Sequence, residues 1–304
     1  MGSRTGASWE PVVAVVEEQE SGVPGIIWLA SYPKSGSTWL RAFLANMIAG
    51  AERPVAINEL PNYAFGDNNL AHYRDFTGRD PADFTAEEIA ALRPRIHDWF
   101  ARSRPHDVFV KTHNAVLTIG GVPLITPGAT AGAIYVARNP LDVAVSFAHH
   151  YELPLQRAVN GLCRERFVLA ASDGHLPQYL GSWSRHVTSW LDAPGLTLHC
   201  LRYEDVVAND LEAFAGVVRF LRLPEDPARL ERAAGFSRFE ELAGQEQGSG
   251  FIEARREGLR FFREGRVGSW REALSEAQVA QIVAAHRPVM ARLGYLSESG
   301  EPAF

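Results

Sequence analysis

The chain has 304 residues, 46% of them hydrophobic and 22% charged, which is ordinary for a globular protein of one large or two small domains. Its formal net charge of -6 argues against nucleic-acid and anionic-membrane binding, since both functions favour a basic surface. No apolar run approaches the length of a membrane span, so we expect no membrane insertion and a cytoplasmic location. Cys163 and Cys200 lack metal-type spacing and fit buried thiols in a reducing compartment.

The predicted elements begin after residues 1–24, which lack an apolar core long enough for a signal peptide. We assign 1–24 to a flexible N-terminal tail and 25–304 to a single domain. The predicted strands are Ile26–Ala30, Val108–Val110, Ala133–Ala137 and Leu196–Leu201, and the predicted helices are Ser37–Ile48, Ala86–Ala101, one from Pro140, Tyr179–Leu191, Asp210–Leu221 and Ser275–Leu293. Because strands alternate with helices, the pattern predicts an α/β fold with a central parallel sheet flanked by helices.

Three polar segments directly follow predicted strands. A loop containing Lys34 follows the first strand, Lys111-Thr112-His113 follows the second, and Arg138 follows the third. Ligands of parallel sheets bind outside the carboxyl ends of the strands. We therefore expect these three segments to meet at one edge of the sheet.

Lysine is almost absent from the chain. Only two of its 30 basic residues are lysines, Lys34 and Lys111. A lysine ammonium is a compact point charge, whereas the arginine guanidinium is a wide planar fork, so we interpret these as positions that Arg cannot fill. Lys34 lies in a loop rich in Ser, Gly and Thr, and Lys111 lies two residues before His113. The arrangement predicts a phosphate-type anion site with a base beside it.

The loop YPKSGSTW at residues 32–39 has the chemistry of an anion cradle. Gly36 lets backbone amides approach an anion, and the helix beginning near Ser37 offers unpaired N–H groups and the positive end of its dipole. Ser35, Ser37 and Thr38 add hydroxyl donors. In this loop Lys precedes Gly, unlike the nucleotide-kinase pattern GxxxxGK[ST]. Taken alone, the loop is also compatible with a plain strand-to-helix turn.

The loop resembles the 5′-phosphosulfate loop of the cytosolic-type sulfotransferases, which use 3′-phosphoadenosine 5′-phosphosulfate (PAPS) as sulfuryl donor. Lys111-Thr112-His113 is similar to the family's Lys-Thr-His segment, whose histidine is the catalytic base. The run RNPLDVAVS at residues 138–146 resembles the 3′-phosphate segment, in which Arg138 and Ser146 match the phosphate-binding positions. On these residues the chain resembles a bacterial member of the family.

Three further segments, in family order, extend the resemblance to residue 270. Tyr203 matches a Tyr that approaches the adenine, and Phe239 matches a Phe that packs on the adenine opposite Trp39. Residues 262–270 resemble the closing loop. The resemblance implies a P-loop-like nucleotide-binding architecture in which the donor is bound by Lys34, Ser35, Gly36, Ser37, Thr38, Trp39, Arg138, Ser146, Tyr203, Ser237, Phe239, Arg263, Glu264 and Gly265.

The chain also departs from the family pattern. Glu264 stands where the family has Lys, and Ser269 stands where it has Asp. The family's short dimerisation signature is absent from 271–280, so a homodimer of that kind is not predicted, although other homo-oligomers stay open. Residues 53–106 match no family segment, and we expect them to shape acceptor specificity, with the candidates Asn68, Asn69, Tyr73, Arg74 and Phe76.

The sequence therefore predicts transfer of a sulfuryl group from PAPS to a hydroxyl or amine of a small-molecule acceptor. His113 is expected to act as general base, Lys34 and Lys111 to assist catalysis, and 3′-phosphoadenosine 5′-phosphate (PAP) to be the product, with no metal required. For His149 and His150 we favour a structural or acceptor-pocket role over metal binding. A nucleotide-dependent kinase with a related phosphate loop stays open as the alternative. A non-catalytic nucleotide-binding module also stays open because of Glu264.

Overall fold

A computed structural model describes residues 23–172, 174–254 and 260–304, so the predicted tail lies outside the described residues except at its last two positions. The strands of the described part are β1 (Ile26–Ser31), β2 (Ala64–Gly66), β3 (Val108–Thr112), β4 (Thr118–Ile119), β5 (Val122–Pro123), β6 (Thr130–Ala137), β7 (Val168–Leu169), β8 (Gln178–Tyr179) and β9 (Leu198–Arg202).

Five of these strands form one sheet in the order β2-β3-β1-β6-β9. Every neighbouring pair in it is parallel. Two small antiparallel pairs, β4 with β5 and β7 with β8, lie apart from it. The central parallel sheet predicted from the alternation of strands and helices is thus confirmed.

Helices cover both faces of the sheet. They are α1 (Ser37–Ala49), α2 (Leu60–Tyr63), α3 (Leu70–Thr77), α4 (Ala86–Ala101), α5 (Pro140–His150), α6 (Leu155–Leu162), α7 (Trp183–Leu191), α8 (Tyr203–Ala208), α9 (Asp210–Phe220), α10 (Pro227–Gly235), α11 (Phe239–Ser249), α12 (Trp270–Ala273) and α13 (Glu276–Arg292).

The central strand β1 supplies side chains to two separate hydrophobic clusters. Ile26, Trp28 and Ala30 pack into one cluster, together with residues of α4 to α7 and α13. Ile27 and Leu29 pack into the other, with residues of α1, α9 and α10. Successive side chains of a strand point to opposite faces of the sheet, so this alternation places β1 between two buried layers.

Local sequence signals set several helix ends. Thr85 closes a capping box at the start of α4, and Ser275 does the same for α13. Asn139 caps α5 by accepting a hydrogen bond from the Leu141 backbone N–H, and Pro140 occupies the first turn. These helices begin where the sequence predicts.

One predicted helix begins later than expected. The sequence predicts a helix from Tyr179, but α7 begins at Trp183. Tyr179 instead pairs with Val168 in the β7–β8 ladder, and the Ser182 hydroxyl caps the helix by accepting from the Arg185 N–H. A serine cap therefore overrides the apolar periodicity, which extends through the preceding residues.

Both cysteines are free and partly buried. Burial raises the pKa of the Cys163 and Cys200 thiols to about 11. Neither thiol is therefore an activated nucleophile. Within the described ranges no helix is long and apolar enough to span a bilayer.

Candidate active site

A cavity of about 1230 Å³ opens at the carboxyl edge of the sheet. Its walls include Lys34 after β1, Lys111 and His113 at the end of β3, and Arg138 after β6. The three segments predicted to converge therefore do so. The other predicted donor-site residues that line it are Gly36, Ser37, Thr38, Trp39, Ser146, Tyr203, Phe239, Arg263, Glu264 and Gly265.

Two residues predicted to bind the donor are not among those lining the cavity. Ser35 is 1% exposed, and its hydroxyl has no hydrogen-bond partner within the described part of the chain. Ser237 is fully buried, and its hydroxyl donates to the Ala234 carbonyl oxygen at 2.9 Å. That hydrogen bond ties the Ser237 side chain to the end of α10, and its role in donor binding stays a prediction.

The loop between β1 and α1 has an unusual backbone. Lys34 adopts a φ of 71°, in the left-handed region that non-glycine residues rarely occupy. Gly36 has a φ of 104°, and a Cβ there would lie 2.7 Å from Cδ2 of Tyr203. Gly36 is also the N-cap of α1 and supplies no side-chain cap, so the first amides of α1 keep their hydrogen-bonding capacity.

Lys34 carries a half-buried ammonium that has no carboxylate ion-pair partner among the described residues. Its Nζ lies 3.8 Å from the ring centroid of Phe261, and among the described residues no carboxylate lies within ion-pair distance. Burial, together with the nearby charges of Lys111 and Arg138, lowers the pKa of Lys34 to about 7. An anion entering the cavity would stabilise the protonated form of this side chain.

His113 is held in one tautomer by its neighbours. Its Nδ1 lies 2.8 Å from the Ser31 carbonyl oxygen and 3.2 Å from the Ser31 hydroxyl. A carbonyl oxygen only accepts hydrogen bonds, so we assign the ring proton to Nδ1, which leaves Nε2 with a free lone pair. Burial and the Lys111 charge lower the pKa of His113 to about 3, so the imidazole is neutral near pH 7.

A hydrogen-bond network holds the backbone around His113. The Asp67 carboxylate accepts from the Thr112 hydroxyl at 2.9 Å and from the Asn114 side-chain amide at 3.0 Å. Nε2 of His186 lies 3.0 Å from the His113 carbonyl oxygen. Both neighbours of His113 and its own carbonyl are therefore fixed, which limits the movement of the imidazole.

Lys111 forms an ion pair that the sequence does not indicate. Its Nζ donates to Oε2 of Glu253 at 2.9 Å, and Nη1 of Arg41 donates to Oε1 of the same carboxylate. Burial alone would raise the pKa of Glu253, but Lys111 and Arg41 hold it well below its usual range. All three side chains line the cavity.

Arg138 joins the loop after β1 to the segment before α12. Its Nη1 donates to the Lys34 carbonyl oxygen at 3.2 Å, and its Nη2 donates to the Arg266 carbonyl oxygen at 3.1 Å. The guanidinium lies 4.1 Å above the ring of Tyr203, while the buried Nε has no partner within the described residues. Arg138 thus retains a buried donor at the cavity.

The segment that resembles a closing loop carries both signs of charge. Glu264 pairs with Arg263 at 3.2 Å and with Arg266 at 2.9 Å, so two guanidinium groups offset its negative charge. Gly265 has a φ of 64°, and a Cβ there would lie 2.4 Å from Cδ2 of Phe239. The segment therefore packs directly against the aromatic residue predicted to contact the adenine.

Asp142 anchors this segment to helix α5. Its carboxylate accepts hydrogen bonds from the Gly268 N–H, the Ser269 hydroxyl and the Trp270 N–H, at 2.8 to 3.0 Å. Asp142 lies in α5 between Arg138 and Ser146. One buried carboxylate thus links α5, which carries Ser146 and begins two residues after Arg138, to the segment that resembles the closing loop.

Beyond His113 the cavity is lined by aromatic, amide and imidazole side chains. Residues 53–106 contribute Phe65, Asn68, Asn69 and His72. The other candidates from that range lie elsewhere: Tyr73 is buried in the core, Phe76 packs on Trp99, and Arg74 is exposed. The unmatched range thus supplies part of this wall, but through only two of the five residues that the sequence suggests.

Several site residues have no signal in the local sequence. Glu253 is 142 positions from Lys111, and Asp67 is 47 positions from Asn114. Such contacts depend on tertiary packing, which short-range periodicity does not encode. Asp142 lies inside the 138–146 run that resembles the 3′-phosphate segment. Helical spacing places it on the buried face of α5, and this was the one sequence signal that could have identified it as a site residue.

Comparisons with known proteins identify the family of the chain. The sulfotransferase domain model matches residues 24–294. Sulfotransferase 1B1 of Mus musculus is 24% identical over 295 residues, covering 93% of this chain and 87% of its own length. Sulfotransferase 6B1 of Danio rerio is 29% identical over 259 residues, covering 84% and 74% respectively.

Solved structures share the fold. Retinol dehydratase in complex with androsterone and PAP has a TM-score of 0.58 at 18% identity and covers 87% of this chain and 80% of its own. The mouse sulfotransferase SULT7A1 complexed with PAP has a TM-score of 0.57 at 19% identity, covering 91% and 86%. The family model spans most of the chain and confirms the resemblance seen in its motifs. The chain belongs to the sulfotransferase family.

Proposed function

We propose that the protein transfers the sulfuryl group of PAPS to a hydroxyl or amine of a small-molecule acceptor. The observation that carries this proposal is the pairing of two cationic regions in one cavity. One comprises Lys34 and the amides at the start of α1, and the other comprises Arg138 and the Arg263 segment. Trp39, Tyr203 and Phe239 line the same cavity. An adenosine that is anionic at both ends matches this arrangement.

The residues present fit such a donor. Ser35 Oγ, Trp39 Nε1 and Arg138 Nε are buried polar atoms without a partner in the described part of the chain. Buried donors are normally paired, so these three are candidates for contacts to a bound nucleotide. PAPS supplies the activated sulfuryl group and the leaving phosphate when it is bound.

His113 is proposed to act as the general base. The Ser31 carbonyl holds its proton on Nδ1, so Nε2 can accept the proton of the acceptor hydroxyl as the oxygen attacks sulfur. The new bond joins the acceptor oxygen to sulfur, and the bond from sulfur to the bridging phosphate oxygen breaks. The imidazole is unprotonated at neutral pH, so Nε2 is available to accept that proton.

Lys34 and Lys111 are proposed to stabilise the charge that shifts during the transfer. Lys34 and the free amides of α1 face the position where negative charge would develop on the leaving phosphate oxygen. A single well-placed donor of this type is commonly worth about 3 kcal/mol in the transition state. The Lys111 ammonium lines the same cavity, and its hydrogens can contact sulfuryl oxygens.

The acceptor is proposed to bind beyond His113. Phe65 and Phe147 offer apolar surface there, while Asn68 and Asn69 offer hydrogen bonds. This mixture fits a small organic molecule with both apolar and polar parts. We further propose a cytoplasmic location, supported by one relative that is named a cytosolic sulfotransferase.

A direct assay of transfer tests the proposal. The protein is incubated with PAPS and a panel of phenols, alcohols, sugars and amines, and PAP formation is followed together with the mass of each acceptor. We expect acceptor-dependent PAP release and an acceptor that gains one sulfuryl group. Phosphorylation of an acceptor from ATP, with no transfer from PAPS, would instead support the kinase alternative.

A further inference from the structure

Arg41 is a fully buried cation at the wall of the cavity. Its side chain is 1% exposed, and its Nε donates to the Ala64 carbonyl oxygen at 3.2 Å. In the described part of the chain its single carboxylate partner is Glu253. Arg41 is also three and four residues after Thr38 and Ser37, so all three share one face of α1. The guanidinium therefore projects from the face of α1 that carries Ser37 and Thr38, the two hydroxyl residues of the anion loop that lie in the helix.

Glu253 bridges the two cations with separate oxygens. Oε1 accepts from Arg41 and Oε2 accepts from Lys111, as two oxygens of one sulfonate would. Lys111 is two residues before His113, and both line the cavity together with Glu253, so the carboxylate lies close to the proposed reaction centre. The Glu253 carboxylate thus occupies a position between Arg41 and Lys111 that could also hold two oxygens of another anion.

A donor with an anionic sulfonate could not share this position with a charged carboxylate. The pKa of Glu253 lies well below its usual range because of Lys111 and Arg41, so protonation does not remove the charge near pH 7. Arg41 is fixed in the core, whereas the Glu253 side chain is 22% exposed and its neighbour Ile252 is 63% exposed. Glu253 is therefore the partner that can leave.

Building on the proposed function, we propose that Arg41 and Lys111 together bind the donor's transferable sulfonate. Glu253 is the internal anion that occupies their site until the donor displaces it. Arg41 thereby joins the donor-binding residues, and Glu253 opposes donors that carry a sulfonate. Displacement leaves no cation unpaired, because the sulfonate takes over both partners of the carboxylate.

Titration calorimetry with PAPS and with PAP, in the absence of acceptor, tests this inference. PAP lacks the sulfonate, so the ratio of the PAP Kd to the PAPS Kd isolates its contribution. We expect Glu253→Gln to raise this ratio on the order of tenfold, because the competing charge is gone. An unchanged or lower ratio would overturn the proposal, and a lower one would make Glu253 an aid to donor binding.

Glu264→Gln is the matched control. It removes one carboxylate charge from the same cavity, but next to Arg263 and Arg266 at the proposed 3′-phosphate end. The 3′-phosphate is common to PAP and PAPS, so this variant should shift both affinities together and leave the ratio unchanged. A ratio that rises equally in both variants would mean a general charge effect and contradict a site at Glu253.

Arg41→Gln supplies a second test that does not require the Glu253 variant to fold. It keeps Glu253 paired with Lys111 but removes one proposed sulfonate ligand, so the ratio should fall below that of the wild type. A ratio equal to or above the wild-type value would overturn the role of Arg41. Failure of the wild type to bind PAP at all would instead contradict the proposed function.

Discussion

At the scale of single residues, one cavity holds a neutral imidazole, that of His113, and a partly desolvated ammonium, that of Lys34. The Ser31 carbonyl fixes the His113 tautomer, and the Asp67 network fixes the backbone on either side. Among the described residues, the ammonium of Lys34 contacts an aromatic ring and no carboxylate within ion-pair distance. His113 can therefore accept a proton from the acceptor, and Lys34 can take up a proton and pair with the donor anion when these reactants bind.

Replacing His113 by Ala should separate chemistry from binding. The variant loses the atom proposed to accept the acceptor's proton, but it retains Lys34, Arg138 and the loop amides. We expect kcat to fall by about 10²–10⁴-fold, which is the usual contribution of a general base. Calorimetry should show an affinity for PAP close to that of the wild type. A parallel loss of PAP affinity and turnover would contradict this role.

Donor binding should take up a proton at Lys34 in mildly alkaline solution. With a pKa lowered to about 7, Lys34 is largely neutral at pH 8, and an arriving anion favours its charged form. Titration of PAP in buffers of different ionisation enthalpy should show uptake approaching one proton at pH 8 and almost none at pH 6. The Lys34→Gln variant should show no such uptake. Equal uptake in variant and wild type would assign the proton elsewhere.

At the scale of elements, the site is built from the ends of three strands and a segment that closes over α5. Asp142 ties that segment to α5, and Arg138 ties it to the loop after β1. Gly265 allows the segment to lie flat on Phe239. The backbone conformation of Gly265 therefore determines whether Phe239 and the arginines of this segment can contact the same ligand.

Gly265→Ala should weaken nucleotide binding through a steric clash. Its Cβ would lie 2.4 Å from Phe239, and its φ of 64° adds backbone strain. Gly120, with a φ of 57° and no atom within 4 Å of an added Cβ, is the matched control that carries the strain alone. We expect PAP affinity to fall on the order of tenfold in Gly265→Ala but not in Gly120→Ala. Equal affinities in the two variants would show that the contact with Phe239 is unimportant.

At the scale of the whole molecule, the sequence predicts the sheet, most helices and the meeting of three segments at one edge. It does so because strand–helix alternation, caps and glycine-rich loops are local signals. It misses the ion pair between Lys111 and Glu253, which depends on packing across 142 positions. It also misplaces the start of α7, where a serine cap decides the outcome.

Arg138→Ala should reveal whether the cavity holds two separate anion sites. The guanidinium is proposed to contact the 3′-phosphate through charge-assisted hydrogen bonds, each worth about 1.5–3 kcal/mol. We expect PAP affinity to fall about 10- to 100-fold, while AMP affinity stays nearly constant. Equal losses for both nucleotides would place Arg138 at the shared part of the ligand.

The central claim is that the cavity is built for a 3′-phosphorylated adenosine. Titration calorimetry of PAP against ATP and AMP, with and without magnesium, tests it most directly. The account predicts tight binding of PAP that does not depend on magnesium, and much weaker binding of ATP and AMP. Preferential binding of ATP in the presence of magnesium would contradict the account and favour a kinase.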